Sequence, residues 1–74
     1  MTIPVRMFDR THNVTIVGFG EDTSSRTFLI GIDDEQIAYE LWDDGIAERI
    51  LPDDSATRGS FNPKLFAVAT GKSS

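Results

Sequence analysis

Between residues 3 and 32 the chain carries three short apolar runs rich in β-branched residues, each cut off by a polar or glycine-containing stretch. None is long enough for an ordinary helix, so this half reads as strands joined by turns. Ile3, Val5 and Met7 alternate with Pro4, Arg6 and Phe8, and the run ends in Asp9-Arg10-Thr11-His12-Asn13, a polar cluster suited to a turn. Val14-Thr15-Ile16-Val17-Gly18-Phe19 stops at Gly20. The polar loop from Glu21 to Arg26 then leads into Thr27-Phe28-Leu29-Ile30-Gly31-Ile32, a hairpin arrangement. Gly18 and Gly31 each interrupt a strand pattern near its end, where a bulge or close backbone crossing is the usual reason, and the two are expected to face each other.

Residues 33 to 51 support two readings. As a helix, Asp33 is the N-cap with Gln36 at N3, Ile37, Ala38, Leu41 and Trp42 share a face, and Gly45 sits just past the end. Asp43 and Asp44 would then lie at the negative end of the helix dipole, which is the wrong sign. As a hairpin, Ile37, Tyr39 and Leu41 alternate with Ala38, Glu40 and Trp42, Asp43-Asp44-Gly45 makes the turn, and Ile46 to Leu51 returns. The hairpin is slightly favoured, because it explains the aspartates.

Residues 52 to 61 read as a polar loop. Asn62-Pro63, then Lys64 to Thr70, then Gly71 gives the order of N-cap, first-turn proline and terminal glycine of a short helix, with Leu65, Phe66 and Ala69 facing a sheet. An edge strand from Leu65 to Ala69 is the alternative. The expected fold is β-rich α+β: a single small domain over residues 1–71, an antiparallel meander or small barrel-like sheet with one or two short helices, and a frayed tail at 72–74.

With 74 residues and no cysteine, disulfides, Cys-based metal centres and thiol chemistry are all excluded. A chain this short buries only about 60% of its unfolded surface, so a partner or a second copy is a natural source of extra burial. No apolar run approaches the roughly 20 residues of a membrane span, and no secretory signal is visible at the N-terminus, so a cytoplasmic setting is expected.

Catalytic signals are weak. His12, the only histidine, falls in the expected turn and reads as an exposed turn residue rather than a general base. Six serines include no Gly-x-Ser-x-Gly elbow. Gly18-Phe19-Gly20 lacks a third glycine and is followed by Glu21-Asp22, which would repel phosphate. The clusters Asp33-Asp34-Glu35, Asp43-Asp44 and Asp53-Asp54 do not match a calcium loop, and solvated turns are their simplest reading. No catalytic, cofactor or metal residues are therefore assigned.

Charge is unevenly distributed. Residues 21 to 54 hold eleven carboxylates against two arginines, while residues 1–20 and 55–74 both lean basic within a total of −5. Direct nucleic-acid binding, which needs a basic footprint, is disfavoured. An acidic face suits a protein with a basic surface instead. In size, acidity and absence of cysteine the chain resembles phage-encoded inhibitors of nuclease systems, anti-CRISPR proteins among them. That resemblance implies a non-enzymatic inhibitor of a nucleic-acid-targeting defence, acting as a DNA mimic. Expected contacts are Glu35, Glu40, Asp43, Asp44, Glu48, Asp53 and Asp54, with Tyr39 and Trp42 as anchors, since these aromatic types are enriched at interface hot spots. The alternative is a structural subunit forming a homo-oligomer, such as a homodimer, through sheet edges.

Overall fold

A computed structural model describes residues 1–71. Six antiparallel strands follow one another round a closed barrel: β1 (Thr2–Arg6), β2 (Thr11–Glu21), β3 (Thr27–Ile32), β4 (Ala38–Trp42), β5 (Ile46–Ile50) and β6 (Ala56–Ser60). One helix, α1 (Pro63–Thr70), follows them. Strand alternation explains the core. Ile3, Val5, Met7, Val14, Leu29, Tyr39, Leu41 and Ala47 all point inward, and Phe61 and Phe66 complete the cluster. No helix among the described residues is long and apolar enough to cross a membrane.

The β4–β5 hairpin decides between the two readings of residues 33–51. Gly45 takes φ 90° and its N–H donates to the Trp42 carbonyl, so the glycine closes a strand turn rather than a helix. Ser25, Gln36 and Asp54 occupy the same left-handed region in the β2–β3, β3–β4 and β5–β6 turns. Hairpin loops built on a type I turn followed by one left-handed residue have this form. The glycine made one of the four turns easy to see; the other three are held by aspartate side chains.

Three expectations need correction. Residues 52–61 are not all loop, because Ala56–Ser60 forms β6 and pairs along its length with β5. Thr57 and Gly59 turn inward and neither is apolar enough to announce a strand. β6 reaches β1 through the Arg6–Ser60 pair, and a side chain at Gly59 would collide with Met7 and the Arg6 backbone. Secondly, β2 begins at Thr11, so His12 lies in a strand rather than a turn. Thirdly, Gly18 and Gly31 do not oppose each other: Gly31 pairs with Ile16 and Gly18 with Ile30, with the bulge at Val17. The closing seam is short, because β1 and β6 meet only at Arg6 and Ser60, so most of β1 pairs only with β2 and most of β6 only with β5. The overhang of β2 beyond Thr15 is a longer stretch paired on one side, to β3.

The C-terminal helix forms as its ends dictate. Asn62 Oδ1 accepts from the Lys64 N–H at 3.0 Å, Pro63 starts the first turn, and Gly71 at φ 72° ends the helix. Phe66 is buried, with Leu65 and Ala69 packed beside it. The expected tail at 72–74 lies outside the described residues.

Candidate functional site

Four of the central aspartates are committed to turns. Asp22 Oδ1 accepts from the N–H groups of Ser24 and Arg26, Asp33 Oδ1 from those of Glu35 and Ile37, Asp44 from Ile46, and Asp53 from Ser55, all at 2.8–3.0 Å. Such bonds favour the charged form. The Ser24 hydroxyl holds Asp22 below the usual carboxylate range, the Ser55 hydroxyl does the same for Asp53, and the Ile46 N–H for Asp44. Four of the central carboxylates are therefore engaged in building tight hairpins, three of them in turns whose left-handed residue is not glycine.

Glu40 and Glu48 have no such duty. They stand directly opposite each other on the outer face of β4 and β5, with Ile30 beside Glu40 on β3 and Arg58 beside Glu48 on β6. Neither makes an ion pair among the described residues. Burial, and then the charge of Glu48, push the Glu40 carboxyl above its ordinary range. Further along the same face Trp42 pairs with Phe28, their ring centroids 4.8 Å apart. Arg26 lies over the indole at 4.9 Å and binds Asp43 at 2.9 Å and Asp44 at 3.2 Å. These carboxylates raise the Arg26 pKa further, Asp43 most. The indole N–H is covered and has no hydrogen-bond partner. Trp42, Asp44 and Glu48 share the lining of a recess of about 300 Å³.

Glu40, Trp42, Asp43, Asp44 and Glu48 thus fall along one hairpin. Asp53 and Asp54 lie in the β5–β6 turn at the opposite end of β5, and Glu35 lies in the β3–β4 turn, paired with Arg10 at 2.9 Å. Tyr39 is not a surface anchor. It points into the barrel, fully buried, because inward and outward positions alternate along β4 and Leu41 faces the core with it.

A second polar cluster surrounds Tyr39. Its hydroxyl donates to Asp33 Oδ2 at 2.8 Å, and Arg49 Nη2 stands 3.7 Å from the same oxygen and 3.6 Å from Glu35 Oε1. Burial alone would push the Asp33 carboxyl up. The N–H of Ile37, the Tyr39 hydroxyl, the N–H of Glu35 and the Arg49 charge outweigh it and hold Asp33 below its ordinary value. Burial and Asp33 push the Tyr39 hydroxyl far above its own, so the pair is a neutral donor on a carboxylate. His12, 1% exposed, sits beside this group, with Nε2 3.1 Å from Asp9 Oδ1 and Nδ1 3.7 Å from Asp33 Oδ2. The sequence reading missed the cluster. Extending the inward phase of Ile16 and Val14 back two residues reaches His12, which was the available signal.

No protein-family model, curated protein or solved structure matches this chain.

Proposed function

We propose that the chain is a non-enzymatic protein-binding module that docks on a basic surface of a larger protein through the outer face of β4 and β5. One observation carries this reading: Glu40 and Glu48 oppose each other and neither makes an ion pair among the described residues, although Arg58 stands across from Glu48. Like charges directly opposite across two strands destabilise a sheet, by roughly 0.2–1 kcal/mol on the scale of such pairs. A domain this small has little stability to spare. A lysine or arginine from a partner, placed between the two carboxylates, relieves that repulsion on binding and so adds to affinity. The stacking of Arg26 on Trp42 beside Asp43 and Asp44 supports the reading, as an internal case of a guanidinium held by an aromatic ring and carboxylates.

Glu40→Gln is expected to raise stability at neutral pH by a few tenths to about 1 kcal/mol. A carboxyl whose folded pKa is raised destabilises the fold above that pKa, and the penalty disappears as pH falls through it to the unfolded value. The gap between wild type and variant, followed by urea denaturation, therefore closes as the pH drops below the ordinary glutamate range. A gap that is constant with pH would remove the charge repulsion.

The function is tested by capture. Wild type and the Glu40→Gln/Glu48→Gln/Asp43→Asn variant are immobilised in parallel, and the retained proteins are identified. Basic proteins held by the wild type and lost by the variant support the reading; identical sets reject it. In its narrowest form the module is a mimic of nucleic-acid phosphates acting against a nuclease system, and duplex DNA would then compete for the same retained protein.

A second reading, an assembly subunit that pairs with its own copies, is favoured by the β2 overhang, where Val17 is 60% and Phe19 58% exposed. The two readings differ in which strands a partner covers.

A further inference from the structure

We infer that His12 Nδ1, Asp33 Oδ2 and Glu35 Oε1 form a binding site for a divalent transition-metal cation, with Asp34 close enough to add a fourth ligand. Ligand atoms from these four residues lie within 4.8 Å of one another. Converging carboxylates alone would not make a site, but the histidine points to one independently. Asp9 can only accept, so its carboxylate at 3.1 Å and 3.3 Å from Nε2 places the ring proton on that nitrogen. Nδ1 then presents a lone pair. It faces Asp33 Oδ2 at 3.7 Å and Glu35 Oε1 at 4.0 Å, with no hydrogen-bond partner among the described residues and almost no solvent contact. Three electron-rich atoms turned toward one another repel unless positive charge offsets them; Arg49 and Arg10 offset the two carboxylates, while the Nδ1 lone pair has no donor of its own among the described residues.

The surroundings are those of an oriented ligand set. Ligating histidines ordinarily donate their other ring N–H to a carboxylate, as His12 does to Asp9. Asp33 is held on both oxygens, by the turn N–H groups on Oδ1 and by the Tyr39 hydroxyl on Oδ2. Zinc bonds of about 2.0–2.2 Å need ligand atoms roughly 3.3–3.6 Å apart, so the two edges from His12 Nδ1, at 3.7 Å and 4.0 Å, have to contract by roughly 0.1–0.7 Å. Glu35, on an exposed turn, can supply that shift. One imidazole with carboxylates suits Zn²⁺ or Mn²⁺ better than Mg²⁺ or Ca²⁺, which prefer oxygen alone. Arg49 is the competitor. Its Nη2 stands beyond hydrogen-bond reach of both carboxylates, and its side chain, 17% exposed, must move aside when a metal enters. Arg10 pairs with Glu35 from the exposed side and must also yield.

The experiment uses untagged, chelator-treated protein titrated with ZnCl₂, and separately MnCl₂ and MgCl₂, by calorimetry, with long-range ¹H–¹⁵N spectra of the His12 ring during the zinc titration. The site predicts saturable 1:1 zinc binding, a shift of the Nδ1 resonance to the metal-bound region with Nε2 still protonated, and weaker or absent magnesium binding. Glu35→Gln, on the surface, should fold and bind zinc at least tenfold more weakly, while Arg49→Gln should bind more tightly. An Nδ1 resonance that zinc does not move, or equal zinc affinity in Glu35→Gln, overturns the inference.

Discussion

Replacing Asp33 with alanine is expected to cost about 3–5 kcal/mol, the scale for removing one partner of a buried charged network. That is a large part of the stability of a domain this size, about 0.05–0.15 kcal/mol per residue in total. Three losses combine. The N–H groups of Glu35 and Ile37 lose the acceptor that shapes the β3–β4 turn, the buried Tyr39 hydroxyl loses its acceptor, and Arg49 loses a buried counter-charge. Tyr39→Phe removes only one hydrogen bond, to a carboxylate, and should cost about 1.5–3 kcal/mol. Urea denaturation of both variants measures the difference. If Asp33→Ala lies within about 1 kcal/mol of wild type, the turn and the barrel interior are not held by this carboxylate.

The second large effect is on association rate. Neutralising Glu40, Glu48 and Asp43 together should slow binding to a basic partner at low salt by about tenfold or more, since steering by complementary charge contributes 10- to 10³-fold to such rates. Asp44 is left intact because its carboxylate accepts from Ile46 and holds the turn. Wild-type association should fall steeply with added salt and that of the variant should hardly change, because exposed charges are screened within about 10 Å at 0.1 M. The same variant should be about as stable as wild type, since relief of the Glu40–Glu48 repulsion offsets loss of the exposed Arg26–Asp43 pair. Slower binding by an equally stable protein cannot be put down to misfolding. Equal rates and equal salt slopes in the two proteins would remove the electrostatic role.

Local signals made part of this fold readable from sequence. Asn62-Pro63 and Gly71 bracket α1 because capping acts over one turn, and Asp43-Asp44-Gly45 marks the β4–β5 turn because glycine takes the left-handed conformation there. β6 was hidden because Thr57, Arg58 and Gly59 pair through backbone and owe their place to β5 and to the close approach of Arg6 and Met7. At the candidate site, the register that sets Glu40 against Glu48 follows from the turn, so the pair was within reach once the hairpin was chosen. Burial of Tyr39 follows from the same alternation. His12, Asp33 and Arg49 come from three separate strands or turns, and only barrel closure brings them together.

The central claim is that a partner covers the outer face of β4 and β5. Its most direct test is a ¹H–¹⁵N correlation spectrum of the labelled protein, titrated with the basic protein that the wild type retains. The account predicts the largest shifts at Glu40, Asp43, Glu48 and both the backbone and indole N–H of Trp42. Shifts confined to Val17 through Glu21, or to the turns carrying Glu35 and Asp53, with the β4 and β5 signals unmoved, would contradict it.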